Sequence, residues 1–482
     1  MKQSEEHKEK NLAAMFWSIF EKTGAQIFSV LFQFILARML SADEFGNLAV
    51  LIVFVNLATT FAQNGFASAL VRKQDADDAD YSSVFYCNVG LSALFYAILF
   101  LVSPAIARFY GEEQLQTALR VLALMLFADS FTYIQNVILT KQLRFREIFF
   151  RSTVSTVVAG VAAVAAAACG WGLWALILQY LLKSVLYCLI TCLRVRWHPK
   201  LSFSLSRIRG LLGFSIRVLI QSLIANLSAE LRTLLIGKQY STDRLAYYDR
   251  GQSFPKLFGQ GFSGAVSSVL LPILSPLQED KAALLVQLRK WFALTAFIYY
   301  PLMTGLAGVS HSFVAVLLGE KWMESVPFLT VFCFAQLNQP LSMVLQTAFY
   351  AVNRSDLTLK LTTFRFCADL LLLLLTLRNG PVGIAVGCLI GNVLFFIAYC
   401  IAATKYLGYQ IKMYVKDTYK TCIGAALCFV CAWLPSMLPL PCIALLTVQI
   451  VCGALGYLLC ALILRNEVLM QFVEEIKKRI KK

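Results

Sequence analysis

Twelve charged side chains stand inside apolar segments that are long enough to cross a bilayer. A charge at the centre of a membrane helix costs about 2.5–3.5 kcal/mol, so such residues mark functional sites or ion pairs. Arg and Lys suit phosphate, and the planar guanidinium can donate to two oxygens of one anion. Seven cations are therefore expected to bind an anionic substrate: Lys22, Lys183, Arg217, Arg232, Arg250, Lys256 and Arg365.

The other five embedded charges are carboxylates. A carboxylate in a low-dielectric site can exchange a proton or hold a cation, which would couple transport to an ion gradient. We predict this ion-coupling role for five residues: Glu21, Asp129, Glu230, Asp249 and Asp369.

A structural role is the alternative for several of these charges. Arg365 and Asp369 are four residues apart, which places them on one helix face and allows an internal ion pair. Lys183 and Asp129 lie near the middle of their segments and could pair between helices.

The composition indicates an integral membrane protein. Of 482 residues, 59% are hydrophobic and 15% are charged, and the mean hydropathy is +0.69. Soluble domains are about 45–50% apolar and about 25% charged. The net charge of +16 could suggest nucleic acid, but the basic residues separate apolar segments and do not form one solvated face. We therefore predict no nucleic-acid partner.

The cysteines and histidines predict no metal site and no cofactor. Cys428 and Cys431 have the spacing of a redox pair, but nearly all 14 cysteines lie in apolar segments, where Cys behaves as a small hydrophobe. The three histidines are far apart, and none has a second ligand at metal-binding spacing.

Length and charge together predict the topology. A bilayer core needs about 20 apolar residues per helix. Fourteen segments meet this requirement: 12–37, 48–70, 82–104, 117–139, 148–169, 172–193, 211–237, 245–274, 286–310, 325–350, 357–377, 381–404, 418–437 and 442–464. With the N-terminus inside, the inner side holds 29 Lys and Arg and the outer turns hold six, so both termini are predicted to be cytoplasmic. The inner count includes five cations in the first turns of the adjoining spans: Arg151, Arg289, Lys290, Lys360 and Lys420.

An internal repeat suggests two lobes. Residues 35–48 resemble residues 235–248, with Arg38 matching Lys238 and Asp43 matching Asp243. The offset spans six helices, so the copies have the same orientation and a pseudo-two-fold axis along the membrane normal is predicted. The predicted parts are an N-lobe (1–196), a C-lobe (197–410), two appended spans (411–465) and a basic cytoplasmic tail (466–482). The tail could be an amphipathic helix on the inner leaflet or a solvated segment.

Proline and glycine interrupt two of the later spans. Pro255 and Pro272 lie in the eighth span and Pro301 lies in the ninth, and proline removes a backbone hydrogen bond. Bending helices suit alternating access, although the glycines of these spans could serve close helix packing instead.

Four short stretches carry a family resemblance: "ARMLSADEFGNLAV" (37–50), "AYYDRG" (246–251), "LLPILSPLQ" (270–278) and "LGEKW" (318–322). With the span count, the chain resembles the Wzx-type polysaccharide flippases, nearest the WzxC-like branch, of the multidrug/oligosaccharidyl-lipid/polysaccharide exporter superfamily. Two positions depart from the family pattern: Ser41-Ala42 replaces Gly-Pro, and Asp249 stands where Asn is common.

The resemblance implies a flippase that moves undecaprenyl-diphosphate-linked oligosaccharide from the inner to the outer leaflet of a bacterial inner membrane. We therefore expect that lipid, membrane lipids, a coupling ion (H⁺ or Na⁺) and the polysaccharide polymerase machinery as partners, and no enzymatic activity. A drug antiporter of the same superfamily is the alternative, but it should favour an acidic cavity. The lack of a large external loop disfavours a glycosyltransferase, and the lack of a Gly-x4-Gly-Lys-Ser/Thr loop disfavours an ATP-driven pump.

Overall fold

The computed structural model describes residues 26–63, 65–73, 75–142, 144–195, 197–471 and 474. Glu21, Lys22 and more than half of the first predicted span lie outside these residues, as does most of the basic tail. The prediction of an all-α protein is confirmed, since the described residues form helices and short turns without a strand.

Eighteen α-helices are present in the described part of the chain. They are α1 (Gln26–Met39), α2 (Ala42–Gln63), α3 (Phe66–Arg72), α4 (Asp78–Tyr110), α5 (Gln114–Leu122), α6 (Met125–Lys141), α7 (Phe145–Ala168), α8 (Leu173–Arg194), α9 (Leu205–Gln239), α10 (Thr242–Leu274), α11 (Lys281–Gly308), α12 (Ser310–Leu317), α13 (Val326–Gln336), α14 (Gln339–Ala351), α15 (Ser355–Thr376), α16 (Gly380–Leu407), α17 (Ile411–Trp433) and α18 (Cys442–Ile463). Short 3-10 helices cover Ser275–Leu277, Glu320–Ser325 and Leu434–Met437.

Eleven of the described helical segments are long and apolar enough to cross a membrane, and bent α9 makes a twelfth. The chain is therefore a multi-pass membrane protein. Two predicted spans are not among the twelve. The described part of the first is the short helix α1, and α15 carries charges at Asp356, Lys360, Arg365 and Asp369. The predicted count of 14 is compatible with the structure, although these helices alone do not establish it.

The helix order repeats in the described chain. The turn from α1 to α2 recurs 200 residues later between α9 and α10, because α1 ends at Met39 and α9 at Gln239. Each series then has a broken span, composed of α5 and α6 in the first and of α13 and α14 in the second. α17 and α18 follow the second series, as the sequence predicts.

Polar caps and glycines set several helix ends. Asp77 caps α4, accepting a hydrogen bond from the backbone N–H of Asp80 at 2.9 Å, and the Asp80 carboxylate accepts one from the backbone N–H of Asp77 at 3.2 Å. Asp280 caps α11 through the N–H groups of residues 282 and 283. Gly111, with φ of 79°, ends α4 in a left-handed conformation that suits glycine.

The described residues form two compact units, divided between Ala246 and Tyr247 in the first turns of α10. The first unit has a core in which α3, α4 and α6 meet the start of α9, with Leu70, Val84 and Ile134 fully buried. These units divide the chain differently from the repeat, so the predicted lobe boundaries at 196 and 410 stay predictions.

The core of the second unit lies between α10, α11, α14, α16 and α17. Phe292 is almost fully buried and packs edge-on against Tyr409 and Tyr414, with ring centroids 5.5 and 5.2 Å away. Aromatic pairs of this geometry add to the burial energy of each ring. This packing holds the start of α17 against α11.

Candidate functional site

Asp129 on α6 faces α8 within the first unit. The Ser184 hydroxyl donates a hydrogen bond to its carboxylate. One turn after Ser184 on α8, the Tyr187 hydroxyl donates to the Asn136 side chain of α6 at 2.6 Å. Lys183 is close enough for its charge to act on Asp129, but the two side chains form no ion pair within 4 Å among the described contacts. Lys183 and Asp129 therefore interact electrostatically, but they form no direct hydrogen bond or ion pair.

Three predicted site residues lie along α9. Arg232 is buried, with 8% of its surface exposed, and Glu230 accepts a hydrogen bond from the Asn56 amide on α2 at 3.4 Å. Arg217 is exposed and makes no hydrogen bond or ion pair with another described residue. A guanidinium in that state can bind an anion without first breaking a contact.

Asp249, Arg250 and Lys256 lie on α10 in the second unit. The Arg250 guanidinium is 3.5 Å from the Asp249 carboxylate, and the side chains are 10% and 44% exposed. Lys256 is exposed and has no ion pair with a described residue. α10 thus presents an Arg that is paired with the neighbouring carboxylate and, more than a turn later, a Lys without a described partner.

Tight packing against α13 holds this part of α10. A Cβ atom at Gly251 would lie 2.4 Å from the Cβ of Phe328, so only glycine fits there. The Tyr248 ring packs edge-on against Phe328 and Phe332, with centroids 5.7 and 5.1 Å away. These contacts hold α10 against α13 and so fix the direction in which the Arg250 side chain points.

Arg365 and Asp369 meet on α15. Their charged atoms are 3.6 Å apart, and Arg365 also donates to the side-chain amide oxygen of Asn392 on α16 at 3.0 Å. The guanidinium lies 4.7 Å from the Phe395 ring centroid. This set supports the structural alternative for both residues, because the Arg365 charge already has a carboxylate, an amide and an aromatic face.

The break between α13 and α14 adds polar groups that face α10 and α11. Tyr300 donates a hydrogen bond to Asn338 at 2.8 Å. A Cβ at Gly259 would lie 2.3 Å from the Gln339 carboxamide oxygen, so glycine lets this amide approach α10 closely. The side-chain amides of Asn338 and Gln339 therefore lie at the break, close to α11 and α10.

Sequence reasoning missed an ionic clamp beside α4, which we define as Asp77, Asp78, Asp80, Lys200 and Arg207. Lys200 pairs with Asp78 at 2.6 Å, and Arg207 pairs with Asp77 and, at 3.2 Å, with Asp80. The clamp fastens the α8–α9 connection to the start of α4. A sequence signal exists, since the acidic run at 75–80 precedes α4 and the α8–α9 connection is basic.

Two of the three histidines, His198 and His311, lie among the described residues. No group of three or more His, Cys, Asp or Glu side chains in that part of the chain could hold a metal ion. All 14 cysteines lie within it and are free, including Cys428 and Cys431.

These features define the class of protein: a multi-pass helical membrane protein with a repeated helix order and charges embedded in its spans. The model of a family described as polysaccharide biosynthesis protein matches residues 35–327. The chain belongs to this family.

Curated relatives cover most of the chain. The lipopolysaccharide biosynthesis protein WzxC of Escherichia coli is 24% identical over 90% of this chain and 86% of its own length. The teichuronic acid biosynthesis protein TuaB of Bacillus subtilis is 27% identical over 62% of this chain and 63% of its own. The succinoglycan biosynthesis transport protein ExoT of Rhizobium meliloti is 25% identical over 65% and 63%.

Solved structures show the same fold. The lipid II flippase MurJ in an inward closed conformation aligns with a TM-score of 0.78 at 15% identity, over 94% of this chain and 99% of that one. An inward-facing MATE transporter of the MOP superfamily aligns with a TM-score of 0.62 at 18% identity, over 81% and 98%. The resemblance to the WzxC-like polysaccharide proteins is confirmed by the family model and by the match to WzxC. The names of ExoT and MurJ agree with the prediction of a transporter and not an enzyme.

Proposed function

We propose that this protein is a flippase for undecaprenyl-diphosphate-linked oligosaccharide. It would move the lipid from the cytoplasmic to the outer leaflet of a bacterial inner membrane, by alternating access with a cationic central cavity. The family supports this assignment, because the curated relatives are named for lipopolysaccharide, teichuronic acid and succinoglycan. These polymers differ in their sugars, so a shared lipid carrier is the chemistry that such relatives would have in common.

The observation that carries the proposal is the surplus of embedded cations. Lys183, Arg217 and Lys256 make no ion pair within 4 Å in the described part of the chain. Three such charges cannot face lipid tails cheaply, and a diphosphate would supply the counter-charge. The Arg fork can take two phosphate oxygens, and Lys adds a point charge.

The remaining parts of the substrate fit the other features. The sugars would meet amide groups such as Asn338 and Gln339 at the break in the fourth span of the second series. The isoprenoid tail would stay in the bilayer. Because no bond is made or broken, no nucleophile or metal is required. Asp129, Glu230 and Asp249 remain the described candidates for coupling to H⁺ or Na⁺.

The structural likeness to MATE transporters supports the antiporter as the second candidate. An exporter of organic cations needs carboxylates that are free to meet the cation. Here the carboxylates of Asp369 and Asp249 are paired with Arg365 and Arg250, whereas Lys183, Arg217 and Lys256 make no ion pair with a described residue. The charge balance therefore favours an anionic substrate.

The test is translocation of a fluorescent undecaprenyl-diphosphate-linked oligosaccharide in proteoliposomes. Arg217→Ala and Arg250→Ala should each reduce the apparent affinity about tenfold, because each removes charge-assisted hydrogen bonds to the diphosphate. Lys281→Ala is the matched control, since Lys281 is an exposed cation at the start of α11. Export of a soluble organic cation without movement of any lipid-linked sugar would transfer the assignment to the antiporter.

A further inference from the structure

A basic groove lies within the second unit, where α11 and α17 meet residues 466–471 after α18. Its volume is about 470 Å³. Its charged lining consists of four cations and two carboxylates: Arg289, Lys290, Lys416, Lys420, Asp417 and Glu467. The embedded charges considered above are not part of it.

An ion pair between Arg289 and Asp417 joins the two helices that line the groove, α11 and α17. Arg289 donates two hydrogen bonds to the Asp417 carboxylate, at 2.9 and 2.6 Å, and the Tyr409 hydroxyl donates a third at 2.7 Å. Because this bidentate pair is satisfied internally, Arg289 and Asp417 cancel in charge and fix α11 against α17.

The three lysines of the groove differ in the contacts that they make. Lys420 donates to the Arg465 backbone carbonyl oxygen at 3.1 Å and so ties the segment after α18 to α17. Lys290 and Lys416 are exposed and make no hydrogen bond or ion pair with a described residue. With Glu467 as the remaining carboxylate, the groove keeps a net positive charge and two ammonium groups that can meet an anion.

The groove is placed at the edge of the apolar part of both helices. After Lys290, α11 carries no charged residue to its end at Gly308, and after Lys420, α17 carries none to its end at Trp433. Trp291 and Tyr419 stand at these transitions, and such aromatic residues favour the membrane–water interface. The lysines therefore lie at the depth of lipid headgroups.

Two exposed apolar stripes continue from the groove along the helices. On α17, Tyr419 is followed at four-residue spacing by Ile423 and Leu427, which are 50% and 41% exposed. On α11, Lys290 is followed at the same spacing by Leu294 and then by Ile298, which is 44% exposed. A lipid whose phosphate binds the lysines would therefore find an apolar stripe for an acyl chain on each helix.

We propose that this basic groove binds the phosphate of an anionic phospholipid, with the acyl chains along α11 and α17. Basic pockets between membrane helices have the chemistry to hold such headgroups. A soluble phosphate could use the same ammonium groups but would gain nothing from the two apolar stripes. The groove shares no lining residue with the proposed substrate site, and the proposal does not depend on the flippase assignment.

Native mass spectrometry of the full-length protein in neutral detergent tests this proposal. The protein would be titrated with phosphatidylglycerol and with phosphatidylcholine of the same acyl chains. Lys290→Gln/Lys416→Gln should lower the affinity for phosphatidylglycerol about fivefold for each lysine and leave phosphatidylcholine unchanged. Lys281→Gln/Lys360→Gln removes the same charge outside the groove and should bind like the wild type. Lys290→Arg/Lys416→Arg should keep the binding and shows that the charge is responsible.

Competition identifies the source of the phosphate. Inorganic phosphate and glycerol phosphate should not displace phosphatidylglycerol at equal concentration, and a six-carbon-chain phosphatidylglycerol should bind more weakly than the long-chain lipid. Equal displacement by either soluble anion would overturn the lipid assignment. An equal loss of binding in the control double variant would overturn the groove itself.

Discussion

Arg207, at the start of α9, forms an ion pair with Asp77, the N-cap residue of α4. The pair joins positions 130 residues apart. The same guanidinium reaches Asp80, whose other oxygen accepts a hydrogen bond from Lys73. The ionic clamp therefore holds two connections that the charge distribution predicts to be cytoplasmic. In the proposed flippase, alternating access requires the connections on one face to move, so we expect the clamp to resist that movement.

The clamp predicts a pH dependence of stability. The hydrogen bond from Arg207, supported by the Asp80 backbone N–H, holds the pKa of the Asp77 carboxyl well below its usual range. A lowered folded-state pKa stabilises the protein above about pH 4, and this stabilisation is lost as the pH falls toward the folded value. Thermal unfolding midpoints between pH 6 and about pH 3 should therefore fall more steeply for the wild type than for Asp77→Asn. Parallel curves for the two proteins would contradict the prediction.

The apolar segments could be predicted because span length follows from bilayer thickness alone. Every predicted span overlaps a helix in the described residues, and the repeat correctly placed the α1–α2 and α9–α10 turns 200 residues apart. The clamp and the Arg289–Asp417 pair could not be found in this way. Their partners are over 100 residues apart, and only the packed helices bring them together.

For individual site residues too, the sequence predicts local contacts but not contacts between helices. The i,i+4 rule places Arg365 beside Asp369, because that contact is local. The Asn392 amide, which completes the environment of Arg365, comes from the next helix and has no signal in the α15 sequence. Sequence spacing therefore identifies embedded charges, while their partners on other helices decide which of them are structural.

Gly46 should tolerate no side chain. A Cβ atom there would lie 1.8 Å from the Thr242 carbonyl oxygen, where the first turn of α2 meets the first turn of α10. Gly46→Ala should therefore separate these turns and reduce both the folded yield and the thermal midpoint. Gly90→Ala in α4 is the matched control, because a Cβ there meets nothing within 4 Å, and it should gain up to about 1 kcal/mol from helix propensity. Equal behaviour of the two variants, measured by fluorescence-detected size exclusion, would refute the close approach.

Arg365 and Asp369 should behave as a coupled structural pair. Arg365→Leu and Asp369→Leu should each destabilise the protein, and the double variant should lose less than their sum, by about 1 kcal/mol of coupling. Thermal unfolding of the four proteins gives this coupling energy. The double variant should also keep most of its translocation rate. An additive cycle together with complete loss of translocation would instead assign Arg365 to the substrate.

Asp129 should affect gradient-driven transport more than substrate binding. Its carboxylate accepts a hydrogen bond from Ser184 and feels the charge of Lys183, so protonation or cation binding at this site would change the contact between α6 and α8. Asp129→Asn keeps the shape and can still accept from Ser184, but it cannot exchange a proton. Translocation in proteoliposomes with an imposed H⁺ or Na⁺ gradient should lose most of its gradient dependence in this variant, while equilibrium binding of the lipid-linked substrate changes less than about threefold. Ser184→Ala removes the hydrogen bond but leaves the charge, and it should keep the gradient dependence. If Asp129→Asn responds to the gradient as the wild type does, Asp129 is structural and the coupling site lies among the other embedded carboxylates.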